Sequence, residues 1–191
     1  MNLKNNVLLL VMSMFLLVGS QVSAQVETIG KPVMVGGEEM NPAKNIIENA
    51  SKSKAHKTLV AAIKAAGLVE TLSGAGPFTV FAPTNTAFSA LPDGTLETLL
   101  KPENKEQLIQ LLTFHVIPGK INSTDLIALM DKNNGRASIA TIEGGKLTFY
   151  MEDGDVYLKD EKGKNAAVTI ADVNQSNGVI HVIDAVLTPK K

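Results

Sequence analysis

The chain contains no cysteine and no tryptophan, and aromatic residues make up only 4% of it. Without cysteine there is no disulfide framework, no thiolate nucleophile and no sulfur ligand for zinc. With two tyrosines and no tryptophan, rings for stacking on sugars or bases are scarce. An excess of one charge is also missing: 18 basic residues face 19 acidic ones, for a net charge of −1. That balance gives no broad pull on nucleic acid and no polybasic patch for a membrane surface. Long apolar runs are limited to one, near the N-terminus.

That run is the clearest feature present. Lys4 gives the first residues a positive charge, and Val7 to Val18 is apolar apart from Ser13. At about 12 residues it falls short of a membrane-spanning helix, which needs about 20. It has the length of the apolar core of a secretory signal peptide. Gly19-Ser20-Gln21 breaks it, and Val22-Ser23-Ala24 offers a cleavage site before Gln25. The expected organisation is therefore a signal peptide over 1–24, a lead-in over 25–42 and one domain over 43–189. No cysteine stands at the cut to take a lipid. The reading is a secreted protein, extracellular or periplasmic, with no membrane span after cleavage. Lys4 leaves with the leader, so 17 basic residues then face 19 acidic ones. The missing cysteines favour a bacterial source.

Hydropathy changes period along the rest. Asn41-Pro42 has the form of a helix start, Asn as N-cap and Pro at the first helical position. Leu59, Ala62, Ile63 and Ala66 recur at helical spacing over about His56 to Ala66, and Gly67 suits the position just past the helix end. Leu68, Val69 and Leu72 make a further apolar turn. Phe78 to Ala82 reads as a buried strand stopped by Pro83, with Thr84 capping a helix to about Leu91. Leu96, Leu99 and Leu100 form another short helix, and Pro102 starts a longer one through Leu112. His115 to Ile117 is a brief strand, and Asn122 or Ser123 caps a helix to about Met130. Beyond it the period becomes two: Ala137 to Ile142, Lys146 to Met151, Val156 to Lys159, Ala167 to Val173 and Val179 to Leu187 read as strands, punctuated by glycine turns. Helices first and antiparallel strands last define an α+β fold.

Catalytic and metal chemistry find little support. The three histidines, His56, His115 and His181, have no zinc-type spacing. Asp131 to Gly135 begins like a calcium loop, but Ile142 stands where the bidentate Glu is needed. Gly74-Ala75-Gly76 lacks the Lys and Ser/Thr of a phosphate loop, and no Gly-x-Ser-x-Gly elbow occurs. The chain reads as a non-enzyme without a cofactor.

Three segments carry a resemblance. Gly76 to Phe88, with Phe78, Thr79, Val80, Phe81, Ala82, Pro83, Thr84, Asn85 and Phe88, resembles the first signature of the fasciclin domain family. Asn177 to Asp184, with Asn177, Gly178, Val179 and His181, resembles the second. Phe114-His115 stands between them where the family usually carries Tyr-His. The resemblance implies helices packed on an antiparallel β-wedge or sandwich, with the signatures acting mainly as fold determinants. It also implies a cell-adhesion or extracellular-matrix role, here a matrix or biofilm binding module for cell-surface or matrix proteins or polysaccharide, with oligomers a means to multivalent contact. In animal matrix members an Asp-Ile pair before the second signature is implicated in integrin binding; Asp172-Val173 matches it and is the candidate contact. The Glu-Pro that can precede that pair is replaced here by Ile170-Ala171, and Phe114 lacks the tyrosine hydroxyl. The alternative is a carrier of an apolar small molecule, such as a lipid or pigment.

Overall fold

A computed structural model describes residues 30–190; the leader expected over 1–24 and its cleavage site lie outside the described residues. The lead-in holds structure that its sequence does not announce. Strands β1 (Val33–Val35) and β2 (Glu38–Met40) form an antiparallel hairpin. Three residues are too few to show a period of two. The turn signal was Gly36-Gly37, both at positive φ (61° and 79°), as a tight hairpin requires. Val35 and Met40 are buried and fasten the hairpin to the domain.

The first helix, α1 (Ile46–Ala50), starts four residues later than the Asn41-Pro42 reading placed it. Asn45 is the cap: its side chain accepts from Glu48 N at 2.9 Å, and the Glu48 carboxylate accepts from Asn45 N at 2.9 Å. This reciprocal box satisfies two free donors at once. Asn41 instead closes a local turn by accepting from Ala43 N. Helix α2 (Lys57–Ala66) ends on Gly67 at φ 75°, as expected, and α3 (Val69–Ser73) follows. Strand β3 (Phe78–Pro83) leads to α4 (Asn85–Ser89), whose cap is Thr84. Then come α5 (Thr95–Leu99), one 3₁₀ turn at Pro102–Asn104, α6 (Lys105–Phe114) and β4 (Val116–Pro118). Helix α7 (Ser123–Lys132) precedes the strand-rich part: β5 (Arg136–Ala140), β6 (Lys146–Glu152), β7 (Asp155–Lys159), β8 (Asn165–Gln175) and β9 (Gly178–Ile183). The last strand stops at Ile183, short of the expected Leu187. There the Asp184 carboxylate takes the β8 amide of Ala167 at 2.8 Å.

Seven strands pair in the order β4-β3-β9-β8-β7-β6-β5. The α+β class holds, and all pairs are antiparallel except one: β3 and β9 run parallel, Phe78 opposite Gly178 through Pro83 opposite Ile183. A long connection, not a hairpin, joins these two strands, so no turn imposes an antiparallel match. The eleven-residue β8 bends the sheet. Two register shifts, at Val168/Ile170 and Ile170/Val173, each add one residue on its side of the β8–β9 pair. Bulges of this kind kink and twist a strand.

The bend creates two cores that share β3 and β9. Val80, Ala82, Ile180 and Val182 point to the helical side, with Leu59, Ile63, Phe88, Leu108 and Leu112. Phe81 and Ile183 point the other way, against Leu147, Phe149, Leu158 and Ala166 of the outer strands and Leu126 and Met130 of α7. Phe81 and Phe149 meet with ring centroids 5.3 Å apart. Burial on both faces explains why the two signature strands read as continuous apolar runs. Among the described residues no helix is long and apolar enough to cross a membrane.

Candidate functional site

The two signatures are neighbours in space, and most of their polar atoms are spent on the molecule itself. Thr79 and His181 of the signatures, together with Asp172 of β8, close on one segment, Gly119 to Ser123, which runs from β4 into the start of α7. Thr79 is fully buried; its hydroxyl donates to Gly119 O at 2.7 Å and accepts from Ile121 N at 2.9 Å. The His181 Nε2 donates to Ile121 O at 2.9 Å, while its Nδ1 accepts from Asp172 N at 3.3 Å. These partners define a neutral Nε2–H imidazole. Desolvation holds its pKa below the usual histidine value against the pull of Ile121 O and Asp172. Its ring stacks on Phe81 at 5.3 Å.

Asp172, the candidate contact residue, completes the clamp. It occupies the second β8 bulge at φ 57°, a region that short polar side chains tolerate better than most. Its carboxylate accepts from Ser123 N at 2.7 Å and also from Ser123 Oγ. Ser123 is the first residue of α7, so a negative group meets the positive end of that helix. Asn122 N turns to the Asp125 carboxylate at 2.9 Å, so the start of α7 is secured twice. Asp172 remains partly exposed, and Ala171 beside it is exposed. Val173 is wholly buried in the helical-side core and supports the bulge from within.

The remaining motif residues hold helices to the sheet. Asn177 Oδ1 accepts from Ile46 N at 3.0 Å, and Nδ2 donates to Leu72 O at 2.8 Å and Gly74 O at 2.9 Å. One side chain thus ties the start of α1 to the end of α3. Gly178 and Gly76 have no alternative: a Cβ at either would lie 2.0 Å from Phe78 O or 2.2 Å from Asn177 O. Thr84 Oγ1 accepts from Ala87 N at 3.2 Å. Asn85 bridges Thr58 N at 3.0 Å and Lys54 O at 2.8 Å. Phe78 is partly exposed, Val80, Ala82, Phe88 and Val179 are buried, and Pro83 ends β3.

Phe114 is fully buried against Gly145, where a Cβ would lie 2.8 Å from its ring. His115 beside it donates from Nδ1 to Leu111 O at 2.8 Å and accepts at Nε2 from Leu187 N at 3.0 Å. Burial lowers its pKa to about 4, the dominant cause, with Leu111 O and Asp160 opposing. Sequence reading missed Asp160. This buried carboxylate accepts from Lys162 N, Lys164 N, Thr188 N and Thr188 Oγ1, fixing both the β7–β8 turn and the C-terminal segment. Its signal was its place two residues before Lys162-Gly163, a pair that reads as hairpin punctuation alone. Among the described residues no group of three His, Cys, Asp or Glu is placed to hold a metal.

Beside the clamp opens a cleft of about 540 Å³, bordered by Pro42, Pro77, Lys120, Asn174, Ser176 and Asn177. Another, of about 410 Å³, lies between Leu99, Gln107, Gln110, Lys162 and Thr188. Amides, hydroxyls and lysines share both walls with apolar groups.

Comparison with known proteins agrees with this geometry. Residues 54–189 match the fasciclin domain. The chain is 48% identical to protein sll1483 of Synechocystis sp., over 87% of this chain and 85% of that one. It is 39% identical to the transforming growth factor-beta-induced protein ig-h3 of Sus scrofa, over 69% of this chain but 17% of that much longer protein. The fold superposes on a FAS1 domain pair from the insect cell adhesion molecule fasciclin I with a TM-score of 0.68 at 19% identity, covering 77% of this chain and 51% of that one. With both signatures in place as paired strands and the match running through most of the chain, the protein belongs to the fasciclin domain family.

Proposed function

We propose that this protein is an exported adhesion module, which binds a cell-surface or matrix protein or polysaccharide and catalyses no reaction. The observation that carries the reading is the use made of its polar motif atoms. Thr79, His115, Asp172, Asn177 and His181 all bond inward. A general base or nucleophile must present a free atom to substrate; these residues instead make a rigid scaffold with a clamped loop and bulge. Rigid surfaces lose little conformational freedom on binding. Kinship with a domain from a cell adhesion molecule supports the same reading.

The proposed contact surface around the clamp includes the exposed Ala171, the partly exposed Asp172 and the Lys120 cleft, with Val173 as internal support. Export by a cleavable leader brings the domain to its partners, and clustering of several copies would raise avidity. The test is a pull-down of the tagged, processed protein against its own cell envelope and spent medium. The protein recovered outside the cytoplasm should begin at Gln25 and retain envelope or matrix material. Recovery only in the cytoplasm, or no retention on the envelope, sinks the proposal.

A further inference from the structure

The chain holds two tyrosines, and the fold brings both, partly exposed, to one place. The outer part of the sheet, β5 to β8, buries Ala137, Leu147, Phe149, Leu158 and Ala166 on its inner side. Its other side is covered by no described element, and every residue on it is exposed or partly exposed. Register aligns Arg136, Tyr150, Tyr157 and Ala167 in one row across four strands. The two rings stack with centroids 5.6 Å apart and planes 21° apart. The Arg136 guanidinium lies 6.0 Å from the Tyr150 centroid and the Lys159 ammonium 5.6 Å from it.

Two details point to a ligand. Among the described residues the one ion pair is Lys54–Glu38, so neither Arg136 nor Lys159 has a carboxylate within 4.0 Å. The cations are positioned by a ring but not neutralised. Opposite Tyr157, moreover, stands Ala167, whose methyl is too short to cover that ring's far face. The next row supplies hydroxyl and amide groups: Ser138 and Thr148, their oxygens 3.0 Å apart, then Lys159 and Asn165. Beyond the tyrosines, towards the β6–β7 turn, Glu152 faces Asp155.

We propose that this face binds an acidic polysaccharide, with one sugar ring stacked on Tyr157 above Ala167 and its carboxylates held by Arg136 and Lys159. The inference rests on the adhesion reading and gives it a ligand class and a second surface, away from the signatures. Glu152 and Asp155 repel an acidic chain that runs along the strands past the tyrosines. The glycan therefore crosses the strands, over four strands and about 14 Å at the usual strand spacing. A densely charged phosphate polymer fits less well, since among the described residues two cations, Arg136 and Lys159, lie over the rings and the chain as a whole is at −1.

The test is binding of the full chain, as its cell processes it, to immobilised polygalacturonate, dextran, polyglutamate and oligo-dT, with its own cell envelope in parallel. Polygalacturonate binding should weaken at least tenfold on Tyr157→Ala and on Arg136→Ala/Lys159→Ala. The double variant should also lose most of the salt dependence. Each altered side chain is at least partly exposed, so melting temperatures should stay close to the parent's. Tyr157→Phe should retain binding, because stacking needs the ring and not the hydroxyl. Equal binding to dextran or polyglutamate, stronger binding to oligo-dT, or unchanged binding by Tyr157→Ala overturns the proposal. Envelope retention that survives Tyr157→Ala and the double variant overturns the platform but leaves the adhesion reading. A parent chain that binds neither envelope nor polygalacturonate overturns both.

Discussion

Each histidine of this chain is a buried base held neutral by desolvation. His115 has a pKa lowered to about 4, and those of His56 and His181 are also lowered. The unfolded chain protonates histidine near its ordinary value of about 6.5. Above that pH both states are neutral and stability is at its full value. As pH falls from 6.5 the unfolded state takes protons that the native state refuses, and stability drops. For His115 the loss levels off below pH 4, where the native ring also protonates, at about 3 kcal/mol in total. Urea unfolding at pH 7.5, 6.0 and 5.0 should show a falling midpoint, in a range above most carboxylate titrations. His115→Asn should flatten that fall. A midpoint constant from pH 7.5 to 5.0 would refute this account. Asn177 shows how concentrated the remaining polar bonding is: its three side-chain bonds serve two helices, and removing it strands an amide and two carbonyls in the interior.

For the elements, the tie between β8 and α7 is the informative one. Asp172 belongs to a strand, yet its bonds are to the first residue of a helix 49 positions earlier. Asp172→Ala should therefore cost about 2 kcal/mol, because a charge-assisted pair is lost and Ser123 N–H is left at the helix start without a partner. Its effect should be local. Amide exchange should rise over Ser123 to Lys132 and stay unchanged in α2, on the far side of the sheet. This also bears on adhesion assays. Weaker adhesion by Asp172→Ala with faster α7 exchange reflects scaffold damage, whereas weaker adhesion with exchange unchanged marks a direct contact. Uniformly faster exchange throughout the domain would argue against a local tie.

On the scale of the whole molecule, the two cores are one cooperative unit because β3 and β9 face both. Val80 and Ile180 serve the helical side while Phe81 and Ile183 serve the outer strands. Losing either side strips one face of the shared strands. Thermal unfolding followed by tyrosine near-ultraviolet signals, which report the outer strands, should coincide with unfolding followed by far-ultraviolet helix signals. Two separated transitions would show that the cores are independent.

Much of this architecture was legible in the chain itself. The helices with a clear apolar stripe, the Gly67 stop, the Thr84 cap, the β6 and β7 strands and the α+β segregation all follow from contacts within a few residues, which local pattern encodes. The β1–β2 hairpin was too short for its pattern to show, and the Asn45 box lay hidden behind the more conspicuous Asn41-Pro42. Site chemistry was legible only as residue types. Asp172 was a match to a contact motif, and the fold turned its carboxylate inward to Ser123. Two tyrosines in a chain poor in aromatics promised no stacking platform, because nothing within a strand records which residue its partner strand will set opposite. Register made them neighbours. Sequence by itself determined most of the elements and the family, since both depend on local order; the parallel pairing of β3 with β9, the clamp on Gly119 to Ser123 and the tyrosine row arise from long-range pairing, which only the tertiary structure decides.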